Sequence, residues 1–147
     1  MNPITYTQDR ALTAQQLADI FTRAGLRRPT GDLQRMALML EHADLLMTAW
    51  DGGTLVGVAR TLSDFAFSSY LSDLAVDLAY QQHGIGRELI ARTKQAVGPD
   101  SMLLLLSVPT AMAYYPKVGM DVASNAFIIQ RENATVTAQE TAAMQAA

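Results

Sequence analysis

Three stretches of this chain place residues that can do chemistry at suggestive spacings. The first is Tyr80-Gln81-Gln82-His83-Gly84-Ile85-Gly86-Arg87, which follows an apolar run ending at Val76 and opens a helical pattern carrying Leu89, Ile90, Thr93 and Val97. At a strand-to-helix junction the first helical amides have no carbonyl partner and point outward together, and the helix dipole adds positive potential. Such a turn is a cradle for a phosphate or pyrophosphate, and its glycines let a ligand reach the backbone. Arg87 or His83 can add a charge-assisted contact at the rim. A short Gly-x-Gly is equally a tight turn with packing glycines. The second stretch is the strand-like run that holds Asp73. The third is Ala113-Tyr114-Tyr115-Pro116-Lys117-Val118-Gly119-Met120, where two adjacent phenols stand ahead of a lysine and a glycine. A phenol or a carboxylate held within hydrogen-bond reach of a reacting group can move a proton.

Two familiar phosphate loops do not fit the glycine turn. A P-loop needs Lys followed by Ser or Thr after its second glycine, and Arg87-Glu88 stands there; a dinucleotide fingerprint needs a third glycine where Leu89 stands. Among other titratable groups, Asp64 at the end of a strand-like run and Glu41 in a helical run are candidate bases, and His42 reads as a lone histidine on a helix surface.

The bulk numbers narrow the classes. At 147 residues the chain is the size of one domain, enough to bury roughly two-thirds of its unfolded surface. Hydrophobic residues are 50% and charged residues 17%, as in a globular core. The formal net charge is -3, and the only basic cluster, Arg23 with Arg27 and Arg28, reads as a solvated helix end. No clustered positive surface for nucleic acid follows. There is no cysteine, hence no disulfide, thiolate metal site or thiol nucleophile, and no metal is expected. The polar N-terminus lacks the apolar core of a signal peptide, and the longest apolar run, residues 102–106, is too short for a bilayer. The expectation is a cytoplasmic protein without a membrane partner.

The elements that must position these residues are legible as patterns. Thr13 and Gln16 form a capping box, followed by Leu17, Ile20, Phe21 and Ala24 at helical spacing, with Gly25 as the stop. A second helix is predicted from Thr30 to Asp32 onward, burying Leu33, Met36, Ala37 and Leu40. Strands are predicted over 45–50 and 54–61 around the hairpin signal Asp51-Gly52-Gly53, and over 70–76. After the helix of 87–97, a strand covered on both faces is predicted over 102–108, then a short helix over 110–115 broken at Pro116, and a last strand over 123–130. A further strand can precede Thr13. The fold class is α/β (α+β), a mixed sheet covered by helices, with a single domain over 1–131. Residues 132–147, rich in Ala, Thr and Gln, are a tail that forms a helix, a partner contact or nothing ordered.

The pattern Gln81-x-x-Gly84-x-Gly86 after the run Leu74-Ala75-Val76 resembles the acetyl-CoA-binding motif of the GCN5-related N-acetyltransferase (GNAT) superfamily. The Tyr115-x-Lys117-Val118-Gly119 run resembles that superfamily's second signature, with Met120 where an aromatic residue is usual. The resemblance spans about residues 45–130. It implies a mostly antiparallel central sheet, a splayed V between two central strands, and transfer of an acetyl group from acetyl-CoA to a primary amine through a tetrahedral intermediate. The pyrophosphate is then expected on Gln81, Gln82, His83, Gly84, Ile85, Gly86 and Arg87. The pantetheine arm is expected along Leu74, Ala75 and Val76, with the amide of Leu74 or Val76 donating to the thioester carbonyl.

By the same resemblance Tyr115 matches the general acid that protonates the departing thiolate, or else packs its ring on the coenzyme arm; Tyr114 is the competitor. Asp73 is the foremost base candidate, with a structural carboxylate as the competing reading. The acceptor is expected between the first two helices and the strand loops, near Phe21, Arg28, Met36, Met39 and Trp50 and the loop carrying Phe67 and Tyr70. That loop is equally a hydrophobic wall or a contact for a homodimer. A small-molecule amine, a peptide or protein amine, and a non-catalytic acyl-CoA-binding module remain as readings.

Overall fold

The computed structural model describes residues 2–133. Contacts divide the chain into two units, Met1–Leu105 and the part from Leu106 onward. The first holds β1 (Ile4–Thr7), α1 (Ala14–Ala24), α2 (Leu33–Glu41), β2 (Leu45–Asp51), β3 (Thr54–Ser63), β4 (Ser68–Val76), α3 (Ile85–Val97) and β5 (Met102–Leu105). The second holds a 3-10 turn at Pro109–Ala111 and the short helix α4 (Tyr114–Lys117).

One five-stranded sheet runs in the order β1-β2-β3-β4-β5. The first four strands are antiparallel and β5 joins parallel to β4. This is the mixed, mostly antiparallel sheet flanked by helices that the sequence implied. β3 is buried from Leu55 to Thr61 because helices cover both faces of the sheet. On one face α1 and α2 pack Leu17, Ile20, Phe21 and Met36 against Trp50, Val58 and Ala75. On the other, α3 lays Ile85 and Leu89 over Gly57, whose absent side chain lets the helix approach: a Cβ there would stand 3.1 Å from Leu89 Cδ1 and 3.2 Å from Ile85 Cγ2.

The local signals account for most boundaries. Thr13 Oγ1 accepts from the Gln16 amide at 3.1 Å while Gln16 Oε1 accepts from the Thr13 amide at 2.9 Å, completing the capping box. Asp32 caps α2 through the Arg35 amide. That helix turns a different face inward from the one expected. Met36 is buried and Met39 and Leu40 partly so, while Leu33 and Ala37 are exposed.

Three other expectations are corrected. β5 stops at Leu105, with Met102 exposed, so it is a short strand rather than one covered on both faces to residue 108. Pro116 lies inside α4, because a first helical turn does not need its amide; the expected helix of 110–115 is a 3-10 turn followed by α4. No strand forms over 123–130, and Phe127 and Ile129 are almost fully exposed. Apolar, β-branched residues favour a strand only where a neighbouring strand supplies the ladder. The tail of 132–147, beyond Asn133, lies outside the described residues.

Candidate functional site

β4 is the central element of the site, and its two edges differ. Toward β3 it is paired along its length, from Ser69 opposite Ser63 to Val76 opposite Gly57. Toward β5 the ladder covers only Ser68 to Leu71, ending at Leu71 opposite Leu105. Among the described residues of the first unit, residues 72–76 therefore present an edge with no strand beside it. The register with β3 passes from Arg60 opposite Asp73 to Thr61 opposite Leu71. Ser72 is thus the extra residue of a β-bulge, at the point where β5 and β4 part.

The direction of the amides follows from the ladder. The Asp77 amide donates to Val56 O at 2.9 Å. Hydrogen-bonded pairs alternate in an antiparallel ladder, so Ala75 and Asp73 turn their amides toward β3. Leu74 and Val76 turn theirs to the unpaired edge. Gln81 Nε2 donates to Val76 O at 3.1 Å, which agrees with an outward-facing Val76.

From β4 the chain enters the glycine turn through a 3-10 turn at Leu78–Tyr80. Asp77 Oδ1 accepts from the Ala79 amide at 2.9 Å and Asp77 Oδ2 from Arg23 Nε at 2.9 Å, while Arg23 Nη2 reaches Leu55 O at 2.7 Å. The Tyr80 hydroxyl donates to Asp51 Oδ2 at 2.6 Å. That bond holds the Asp51 carboxyl below the ordinary range and pushes the Tyr80 phenol up. The turn is therefore tied to α1 and to the β2–β3 hairpin. Gln82 and Gly84 both adopt left-handed backbone, φ 66° and 80°. Gly84 is the N-cap of α3 without a side-chain acceptor, unlike Thr13 and Asp32 in α1 and α2. Gln81, Gln82, His83 and Arg87 are exposed, whereas the Ile85 side chain is core, so Ile85 has only its backbone to offer a ligand.

Asp73 occupies a different setting from that of a base. Its side chain is fully buried, with Oδ1 on Arg28 Nε at 2.5 Å and Oδ2 on Arg60 Nε. Arg28 Nη2 also donates to Ser72 O at 3.1 Å, and Arg60 Nη2 to Ser72 Oγ at 3.0 Å. Arg28 is thus engaged in this cluster, and the basic cluster at the end of α1 is not simply a solvated helix end. Arg60 was not singled out from sequence. The signal was there: one arginine inside the apolar run of β3 and one aspartate inside the apolar run of β4, opposite in charge and, with hairpin pairing, opposite in register.

The other candidates separate. Phe21, Met36 and Trp50 are core residues with no surface for an acceptor; Trp50 Nε1 donates to Thr48 Oγ1 at 2.7 Å. Asp64 is held below the ordinary carboxylate range by the amides of Ser68, Ala66 and Phe67. It staples the loop that leaves Phe67 exposed and Tyr70 half-buried. Tyr70 helps line a shallow, mostly apolar pocket with Leu62, Met102 and Leu104. Glu41 and His42 are exposed. In the second unit Tyr115 packs edge-on against Tyr114, ring centroids 5.2 Å apart, and its carbonyl accepts from the amides of Val118 and Met120. No helix among the described residues is long and apolar enough to cross a membrane.

Comparison with known proteins identifies the family and the fold. The family model described as an acetyltransferase (GNAT) domain matches residues 14–141. A curated relative, the chloroplastic GCN5-related N-acetyltransferase 1 of Arabidopsis thaliana, is 26% identical over 112 residues, which are 74% of this chain and 56% of that protein. The matched part thus spans little more than half the relative's length. Two solved structures share the fold. One is a protein of unknown function from meticillin-resistant Staphylococcus aureus, with TM-score 0.75, 19% identity, and 88% of this chain and 100% of that chain covered. The other is a GNAT family acetyltransferase from Streptococcus pneumoniae, with TM-score 0.69, 20% identity, and 88% and 100% covered. With the domain model spanning most of its length, the chain belongs to the GNAT acetyltransferase family.

Proposed function

We propose that the protein transfers the acetyl group of acetyl-CoA to the primary amine of a small molecule. The observation that carries this reading is the unpaired edge of β4 at residues 72–76, where the amides of Leu74 and Val76 face outward beside the start of α3. An extended pantetheine arm fits that edge as an added strand fits a sheet. The uncapped start of α3, with Gly84 in left-handed backbone, fits a pyrophosphate.

In this reading the amine nitrogen attacks the thioester carbonyl carbon and a C–N bond forms. The amide of Leu74 or Val76 donates to the oxygen as negative charge develops there. Collapse breaks the C–S bond, and the Tyr115 hydroxyl gives its proton to the departing thiolate, a role assigned from its sequence motif; the tetrahedral nitrogen loses its surplus proton to solvent, and solvent returns one to the Tyr115 phenolate. An alkylamine with a pKa of about 10.4 arrives protonated, and its proton passes to solvent. Asp73, with both oxygens on arginines and no exposure, is assigned to structure rather than to proton transfer.

The test is release of free thiol from acetyl-CoA across a panel of small amines and peptides. Turnover with a small amine, lowered about a hundredfold in kcat by Tyr115→Phe, supports the reading. Turnover confined to peptides moves the acceptor class. Binding of acetyl-CoA without turnover on any amine makes the protein a coenzyme-binding module.

A further inference from the structure

The bulge at Ser72 is held by side chains rather than by the ladder. An inserted residue leaves its own backbone groups unpaired, and a buried unpaired carbonyl is costly. Here Arg28 Nη2, from the segment after α1, supplies the donor to Ser72 O at 3.1 Å. Arg60 Nη2, from β3, fixes the Ser72 hydroxyl at 3.0 Å and its Nη1 reaches Met39 O at 3.4 Å. Asp73, the next residue, binds both guanidiniums, and Arg28 Nη1 is anchored on Arg27 O at 2.7 Å. The Ser72 carbonyl and hydroxyl and both Asp73 carboxylate oxygens are therefore gripped by Arg60 of β3 and Arg28 of the segment after α1.

Such a cluster is a poor means of stabilising a fold. Two guanidiniums and one carboxylate are removed from water with a surplus positive charge, and well-packed apolar residues generally stabilise at least as well. What a rigid fork of donors supplies instead is direction. The cluster sits one residue before Leu74 and three before Val76, and it begins where β5 leaves β4.

We infer that Arg28 and Arg60, acting through Ser72 and Asp73, are positioning residues that aim the amide of Leu74 or Val76 at the thioester carbonyl. This rests on the reading of residues 72–76 as the acyl-donor edge. None of the four side chains touches the reacting atoms; they fix the twist of the backbone that does. A lysine at position 28 keeps the charge but cannot bridge Asp73 and Ser72 O with one planar group, so it loosens the bulge without removing the cation.

The experiment binds [1-13C]acetyl-CoA and unlabelled CoA to wild type, Arg28→Lys and Ser72→Ala, with thermal midpoints recorded for each. In the wild type the bound carbonyl carbon resonates downfield of free acetyl-CoA, because an amide donor polarises it. In both variants at least half of that displacement is lost, while the Kd for CoA, which has no acetyl carbonyl, changes by less than about threefold, under 1 kcal/mol. With an accepted amine, kcat falls by about tenfold or more, since a misaimed oxyanion donor costs rate, and KM for acetyl-CoA moves little. A carbonyl shift unchanged in both folded variants overturns the inference and leaves the donor site standing. A wild type that binds acetyl-CoA with no downfield shift also overturns it. A wild type that binds no acetyl-CoA overturns the donor site itself, and this inference with it. Ser72→Ala deletes a single partly buried oxygen, so it decides the matter if Arg28→Lys fails to fold.

Discussion

At the scale of single residues, Asp73 shows how burial and partners reassign a carboxylate that its neighbourhood in the sequence made a base candidate. A general base needs a lone pair that substrate can reach. Asp73 is fully buried and its oxygens bind Arg28 and Arg60. Removing the charge leaves the buried Arg60 and the partly buried Arg28 without a counterion, so Asp73→Asn lowers the unfolding free energy by about 3–5 kcal/mol. Urea denaturation measures this, and a loss under about 1 kcal/mol would mean that the cluster is loosely coupled. A base role predicts the opposite pattern, a stable protein that has lost only its activity. Sequence reading reached Asp73, Arg28 and the glycine turn but not Arg60, because the pairing of Arg60 with Asp73 exists only in the β3–β4 register. The order of elements makes Phe21, Met36 and Trp50 expected acceptor contacts. Their side chains, however, point into the core rather than toward a cleft.

At the scale of elements, the glycine turn is held by a hydrogen bond whose two ends titrate in opposite senses. Hydrogen bonding to Tyr80 lowers the folded-state pKa of Asp51, so its contribution is present above the ordinary carboxylate value and lost as pH falls through the lowered one. The Tyr80 phenol is raised, so its contribution is present below the ordinary phenol value and lost as pH rises through the raised one. The stability difference between wild type and Tyr80→Phe is thus flat from about pH 5 to 9 and shrinks below about pH 4 and above about pH 10. Thermal melts across that range check it. On the other side of the turn, Gly57→Ala drives a methyl against Leu89 and Ile85. A cost of about 1–3 kcal/mol follows, together with weaker acetyl-CoA binding as the start of α3 shifts. Elements with self-contained signals were legible in the sequence: the capping box of α1, the Gly52-Gly53 hairpin, and the apolar spacing of α3. Those whose existence depends on a partner were not. The bounds of β5 and the unpaired 123–130 stretch reflect which neighbours a segment finds, which local propensity does not encode.

For the whole molecule, family membership gives acyl transfer as the class of chemistry. The proposed place for the donor is the edge of β4 opened by a bulge, next in sequence to the start of α3. The fold class and the position of that opening were readable from two ordered motifs. A bulge on this strand follows from the family resemblance as well, but the residue that bulges, Ser72, does not, because it is a property of register. If the donor binds there and only in the folded state, it must stabilise the fold by mass action. The most direct measurement is thermal unfolding of the purified chain with and without saturating acetyl-CoA. At a hundred times the dissociation constant the added stability is about 2.7 kcal/mol, and the midpoint rises by roughly 5–10 °C for a chain of this size. Gly84→Glu, which sets a carboxylate at the cradle, abolishes that rise. An unchanged midpoint for the wild type, or an equal rise in the Gly84→Glu variant, contradicts the assignment of β4 and the α3 start as the acetyl-CoA site.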